Sequence, residues 1–384
     1  MNTDNSSALA VGIGVVALIA GFGVYFNSPN LNKATSGQQQ QNNFVPAEIV
    51  IKNNTITGVQ VDRSHFRLAP EFSKISGYIN TVPIKLSDLK DKIVLVDFWT
   101  YSCINCIRTI PYLNAWYEKY ADKGLVIVGI HTPEFNFEKS YDNVKAAVEK
   151  FGIEYPVLQD NDKGTWEAYQ NLYWPHKYLI DEKGYIRYDH IGEGGYAETE
   201  KVIQSLLTER AASIGANITI DKSISSPKDV QSVNFDRIYT PELYFGYQYA
   251  RIPLGNPEGF KPDQVVKYII PTNANLAPNT IYLDGEWKNN ADNMKLQSGE
   301  GHIMLVYSAK AVNIVAGGQG QVQVSEDGTG ITAKSRGTDV SEQNQLVING
   351  QKLYNVIMHE QYGEHRLVLD IKGKGFQIYT FTFG

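Results

Sequence analysis

The junction around residue 103 restricts this chain more than any other feature. Residues 93–98 read IVLVDF, a short and nearly continuous apolar run of the kind that forms a buried strand. Just beyond it, Cys103-Ile104-Asn105-Cys106 opens a stretch in which Ile107, Ile110, Leu113, Trp116, Tyr117 and Tyr120 recur at three- and four-residue intervals, the period of a helix with one apolar face. The first cysteine therefore falls at a helix N-terminus, where unpaired backbone N–H groups and the positive end of the macrodipole favour a thiolate. The second lies one turn on, close enough to attack a mixed disulfide formed at the first. Dithiol–disulfide exchange needs this arrangement of a nucleophile and an adjacent resolving thiol. The chain of 384 residues has two cysteines, which excludes a disulfide-stapled scaffold and a four-cysteine zinc site.

Strands and helices alternate on either side of the junction. A second buried strand is expected at residues 125–130 (LVIVGI), a helix at about 143–151 and a third strand at 177–180. Residues 185–190 should pair with the third strand as a hairpin, and 198–207 should close the unit as a helix. This order implies an α/β sheet with parallel strands at its centre. Farther on the period changes to two. Leu367, Leu369 and Ile371 alternate with Arg366, Val368 and Asp370, residues 377–383 alternate as well, and Gly317-Gly318, Asp327-Gly328 and Asn349-Gly350 supply turn signals. An all-β sandwich is expected there, and 24 tyrosines and 33 glycines suit it. The chain divides accordingly into an α/β domain at 46–210, a linker at 211–230 and a β-sandwich at 231–384. The histidines His302, His359 and His365 are scattered along the sandwich and point to no metal site.

Residues 8–26 form nineteen uncharged positions, which as a helix rising 1.5 Å per residue nearly span the roughly 30 Å hydrocarbon core of a bilayer. No Lys or Arg precedes the run, and it exceeds the usual apolar segment of a cleaved signal peptide. It reads as an uncleaved transmembrane anchor within an N-terminal segment, 1–45, whose remainder is a polar tether. Asp4 before the run and Lys33 after it do not set its orientation. A net charge of −6 argues against a nucleic-acid partner, which would require a basic face.

At this point the residues carry a resemblance. Val96-Asp97-Phe98-Trp99 followed by Cys103 and Cys106, with Pro111 eight residues after the first cysteine and Pro175 before the last hairpin, resembles the thioredoxin active site. Ala69-Pro70-Glu71-Phe72, the run at 97–108, His131-Thr132-Pro133-Glu134-Phe135 and Trp174-Pro175 together resemble DipZ-type members of the TlpA-like membrane-anchored thioredoxins. Thr240-Pro241-Glu242, Leu283-Asp284-Gly285-Glu286-Trp287 and the terminal Phe381-Thr382-Phe383-Gly384 extend that resemblance into the second domain, whose relatives look like carbohydrate-binding jelly rolls.

The resemblance implies roles. Cys103 is the nucleophile and Cys106 the resolving thiol, the two forming a redox-active disulfide that needs no other cofactor. Asp97 is the buried acid that accepts the proton of the second thiol, and Pro175 is a cis proline against the sulfurs. Trp99 and Trp174 are expected to wall the site, while Ile104 and Asn105 add no charge beside it. His131 and Glu134 should border the cysteines, because parallel neighbouring strands end on the same edge. The family works on the extracytoplasmic side of the cell membrane and is commonly reduced through a CcdA- or DsbD-like membrane carrier. The expected function is thus an anchored thiol–disulfide oxidoreductase reducing disulfides in exported proteins. Two alternatives stand beside it. Thr100, three residues before Cys103, fits part of a peroxiredoxin pattern and hence a thiol peroxidase. Aromatics such as Trp287, Tyr244, Tyr247 and Tyr249 could instead make the sandwich a glycan- or protein-binding module with the thioredoxin part as accessory.

Overall fold

The computed structural model describes residues 44–46, 48–52, 55–228, 230–271 and 276–384. The expected anchor at 8–26 lies outside the described residues, among which no helix is long and apolar enough to cross a membrane. The described residues lie within one compact unit of the chain. In chain order its first half contains β1 (Glu48–Lys52), β2 (Thr55–Gln60), β3 (Gly77–Ile79), β4 (Ile93–Trp99), α1 (Ile104–Tyr120), β5 (Leu125–His131), α2 (Tyr141–Lys150), β6 (Val157–Gln159), α3 (Gly164–Ala168), β7 (His176–Ile180), β8 (Ile186–Ile191) and α4 (Tyr196–Ser213). The second half contains β9 (Leu243–Tyr244), β10 (Val265–Tyr268), β11 (Tyr282–Asn289), β12 (Met294–Leu296), β13 (Glu300–Gly317), β14 (Gln319–Glu326), β15 (Thr329–Gly330), β16 (Gln345–Asn349), β17 (Lys352–Lys372) and β18 (Gln377–Phe383).

Beyond the β1–β2 hairpin, six strands form one sheet in the order β3-β6-β5-β4-β7-β8. β4, β5 and β6 run parallel, while β7 lies antiparallel to β4 and pairs with β8 as the expected hairpin. All seven residues of β4 are buried, because helices cover both of its faces. Ile93, Leu95 and Trp99 point into the core under α1 and α4, whereas Val94, Val96 and Phe98 point into the core on the opposite side. Asp97 falls on the α1 side by the same alternation, and so does Lys177, its antiparallel partner on β7. The helical period of α1 sends Cys106, Ile110, Leu113, Trp116 and Tyr120 into that same core.

Several elements differ from expectation, the β1–β2 hairpin among them. β3, β6 and α3 were not legible, since segments of three to five residues hold no measurable period. α4 runs to Ser213, into the expected linker. The chain that follows is strapped down: Ile218 and Ile220 pack on the α1-side core, and Ser225 donates from N and Oγ to the Glu200 carboxylate at 2.7 and 2.8 Å.

The second half is all β, but its ten strands form one continuously hydrogen-bonded sheet rather than two separate ones. The spine is the β13–β17 pair, eighteen and twenty-one residues long. The first part of β13 pairs with β11 and its last part with β18. β18 in turn pairs with β12, and β12 with β11, so the hydrogen bonding closes on itself. Trp287, Tyr307, Leu369 and Phe381 fill the enclosed core. Val315 and Tyr379 instead join the α1-side core of the first half, which makes the contact between the halves apolar.

Candidate active site

Cys103 is the N-cap of α1. Its backbone is extended, and its Sγ accepts the N–H of Cys106 at 3.3 Å, one of the donors a helix start leaves unpaired. The sulfur is half-exposed, whereas Cys106 is 1% exposed. Burial pushes the Cys106 thiol well up, and the hydrogen bond and charge of Cys103 and the charge of Asp97 push the same way. Neither thiol is paired in a disulfide in this structure. The peptide bond between Trp174 and Pro175 is cis, and the Trp174 carbonyl lies 4.0 Å from Cys103 Sγ. Trp174 packs on Trp166 with ring centroids 4.2 Å apart and donates from its indole N–H to the Thr132 carbonyl, so it walls the proline side.

Beneath the thiols, Asp97 of β4 lies in register with a buried lysine of β7, Lys177, which the sequence analysis does not single out. Asp97 is 2% exposed, and burial raises its pKa from 3.8 to about 7 against the pull of Lys177. Lys177 is fully buried, donates to the Gly192 carbonyl at 3.0 Å and has its pKa lowered by burial, while Asp97, Cys106 and Glu193 oppose that fall. The signal was present in the sequence: a lysine inside an otherwise strand-like run, directly after the proline. A second buried pair, Arg108 with Glu193 at 2.9 Å, flanks α1, and Arg108 also donates to Asn105 Oδ1 at 2.7 Å. The two residues between the cysteines are uncharged as expected, but one of them is held by a charge.

Other candidates lie elsewhere. Trp99 is 1% exposed and belongs to the core, not to the wall of the site. His131 ends β5 in register with Trp99, packs edge-on against it and stacks on Tyr101. It is wholly buried, and that burial lowers its pKa to about 3, so it is neutral at physiological pH. The Thr100 hydroxyl lies 3.4 Å from His131 Nε2. Glu134 faces the second domain: it accepts from the Tyr244 hydroxyl at 2.7 Å through its carboxylate, and from Tyr249 at 3.0 Å through its carbonyl. Phe135 and Phe137 follow it onto Tyr379. The loop after β5 borders the site, with Ser102 donating to Glu138 at 2.5 Å and Trp174 to the Thr132 carbonyl, and through Glu134 it also docks the β domain. That domain also packs beside the active-site helix, leaving a cleft of about 470 Å³ between Tyr101, Ile104 and Ile107 on one side and Gln351, Leu353 and Met358 on the other. Of the aromatics considered for sugar stacking, Trp287 is fully buried and Tyr244 and Tyr249 are engaged by Glu134, while Tyr247 is half-buried beside Asp263.

A dithiol at a helix start, above a buried acid and beside a cis proline, within this sheet order, defines a thioredoxin-like thiol–disulfide oxidoreductase. Residues 67–189 match the AhpC/TSA family, and residues 240–384 match the family described as thioredoxin like C-terminal domain. Over most of its length the chain is similar to the DipZ proteins. It is 35% identical over 319 residues to Protein DipZ of Mycobacterium bovis, which covers 82% of this chain and 43% of that protein. It thus spans less than half the length of the DipZ proteins it matches. Over 140 residues it is 27% identical to the thiol-disulfide oxidoreductase YkuV of Bacillus subtilis, covering 36% of this chain and 94% of that one. A solved thioredoxin-like protein in the oxidized form is 27% identical, with a TM-score of 0.35 over 38% of this chain and 97% of that one.

Proposed function

We propose that the protein is a membrane-anchored, extracytoplasmic reductase of disulfides in exported proteins, fed with electrons by a CcdA- or DsbD-like dithiol carrier. The observation that carries this reading is the asymmetry of the two thiols. Cys103 offers a half-exposed sulfur at a helix N-terminus, and Cys106 is held in reserve above Asp97 and Lys177. Cys103 thiolate attacks a substrate disulfide, forming a mixed disulfide and expelling one substrate thiolate. Cys106 then gives its proton to the Asp97 carboxylate and attacks Cys103 Sγ, closing the protein disulfide and expelling the second substrate sulfur as a thiolate, which takes the proton held by Asp97, while the first takes the proton that Cys103 gave to solvent. Two electrons and two protons pass to the substrate, and the carrier restores the dithiol. The uncharged run at residues 8–26 supports the anchor, and the family supports the outer side. A glycan contact on the second domain would centre on Tyr247.

The test is the equilibrium reduction potential of the chain in glutathione or dithiothreitol buffers, with Cys106→Ser as the trapping variant. A potential near about −250 mV and an accumulating mixed disulfide at Cys103 are expected. A potential above about −150 mV would reverse the proposed direction of electron flow. Protease added to intact spheroplasts should digest the redoxin domains, and their protection would refute the outer location. The AhpC/TSA match supports a second reading as a thiol peroxidase. The contact between the Thr100 hydroxyl and His131 weighs against it, and peroxide consumption by the reduced chain decides.

A further inference from the structure

The sequence left His359 and His365 as unrelated residues, because six positions along a regular strand separate two side chains by roughly 20 Å. The structure brings their rings to 4.3 Å, stacked. The register explains how. Ala309 and Ala311 of β13 pair with Gly363 and Met358 of β17, so one intervening residue faces four and β17 loops out and returns. Glu326, at the end of β14, completes the group. One ligand atom from each of Glu326, His359 and His365 lies within 4.8 Å of the other two.

From this cluster we propose a binding site for one divalent transition-metal ion of the zinc class, held by Glu326, His359 and His365. The chemistry of each ligand is prepared. Asp327 Oδ2 lies 2.8 Å from His365 Nδ1, and an ionised carboxylate only accepts, so Nδ1 carries the proton and Nε2 keeps its lone pair. Gly363 keeps that nitrogen open, since a Cβ there would sit 2.7 Å from it. His359 Nε2 lies 3.0 Å from Glu326 Oε2, against about 3.3 Å for two ligands of a tetrahedral zinc with ordinary bond lengths, so a shift of a few tenths of an ångström admits the ion. The ion takes the place of the Nε2 proton, which moves to Nδ1 of the same ring or to solvent. The Tyr307 hydroxyl donates to the other oxygen of Glu326 at 2.5 Å and orients the carboxylate.

Charge argues the same way. Glu326 is 7% exposed, and among the described residues no Lys or Arg pairs with it. Asp327 adds a second carboxylate, answered by His365 and Arg366. Two imidazoles and a carboxylate suit zinc, nickel, cobalt or copper rather than calcium or magnesium, and three protein ligands leave a fourth position for water. The ligands come from β14 and β17, with Tyr307 from β13, so the ion would clip three neighbouring strands.

The test is calorimetric titration of ZnCl2 into the full chain carrying Cys103→Ser and Cys106→Ser, which removes the thiols as competing ligands. One equivalent should bind. Affinity should fall at least about tenfold in Glu326→Gln and in His365→Ala, and by about tenfold in Asp327→Asn, which keeps all three ligands but frees a ring. His302→Ala, in the exposed pair with Asp370, should change nothing. Co2+ should give the visible absorption of a tetrahedral site. If a ligand variant fails to fold by circular dichroism, the Co2+ spectra of the parent and of Asp327→Asn decide. No stoichiometric zinc uptake by the parent, unchanged affinity in His365→Ala, or displacement of zinc by an equal concentration of Mg2+ would each overturn the site.

Discussion

Replacing Asp97 with Asn tests the buried acid directly, because its burial fixes the sign of the effect and sets its order of magnitude. A pKa raised from 3.8 to about 7 means that the folded protein holds a proton which the unfolded chain releases at about pH 4. Between those values the native state binds more protons than the unfolded state, so stability falls as pH rises. The slope reaches 1.36 kcal/mol per pH unit, and the full interval amounts to about 4 kcal/mol. The neutral amide of Asp97→Asn carries no such loss. In urea titrations of the reduced protein from pH 4 to 9, the variant should therefore gain on the parent steadily up to about pH 7 and hold a constant advantage above it. Lys177 limits that advantage, since the variant leaves its ammonium without the opposing carboxylate. The same substitution should slow the release of a mixed disulfide trapped at Cys103, because Cys106 loses its proton acceptor. Parallel stability curves for parent and variant between pH 4 and 7 would refute the account of Asp97 as a buried, mostly protonated acid.

Further outcomes follow from the same geometry. Lys177→Met removes the cation that pulls Asp97 down, so the pH at which Asp97 loses its proton, read from its side-chain carboxyl resonance by NMR, should move above about 7. His131→Phe should leave the pH–rate profile between pH 5 and 9 unchanged in shape, because a histidine with its pKa near 3 stays neutral throughout. Its effect belongs at low pH: the parent loses stability as pH falls below 6.5, where the unfolded chain takes up a proton that folded His131 refuses, and the variant should lose less on acid titration. Tyr379→Ala removes the ring that Phe135 and Phe137 pack against and should cost about 3–5 kcal/mol, with the β domain becoming separately cleavable in limited proteolysis. Tyr244→Phe deletes the hydrogen bond to Glu134, whose carboxyl burial pushes towards the neutral form, and should cost about 0.5–1.5 kcal/mol by urea denaturation.

By itself the sequence determined whatever depends on neighbours along the chain. The apolar run before Cys103, the helical period after it and the turn at 181–184 specified β4, α1 and the β7–β8 hairpin, because strand and helix periods are local properties. The same locality placed Cys103 at a helix N-terminus and so marked it as the reactive sulfur. Only the tertiary structure decided what comes from separate stretches. Lys177 meets Asp97 through the β4–β7 register, eighty residues apart, and Glu134 reaches the β domain because the loop after β5, while bordering the site, also docks on Tyr244. His359 and His365 converge through a register slip in β17 that no periodicity encodes. Burial too was decided by the fold: Trp99 and His131 sit at the expected strand ends, and the packing of Tyr101 and the core around them closes both away from solvent. A residue's charge state is set by the atoms around it, and those atoms are brought together by the fold.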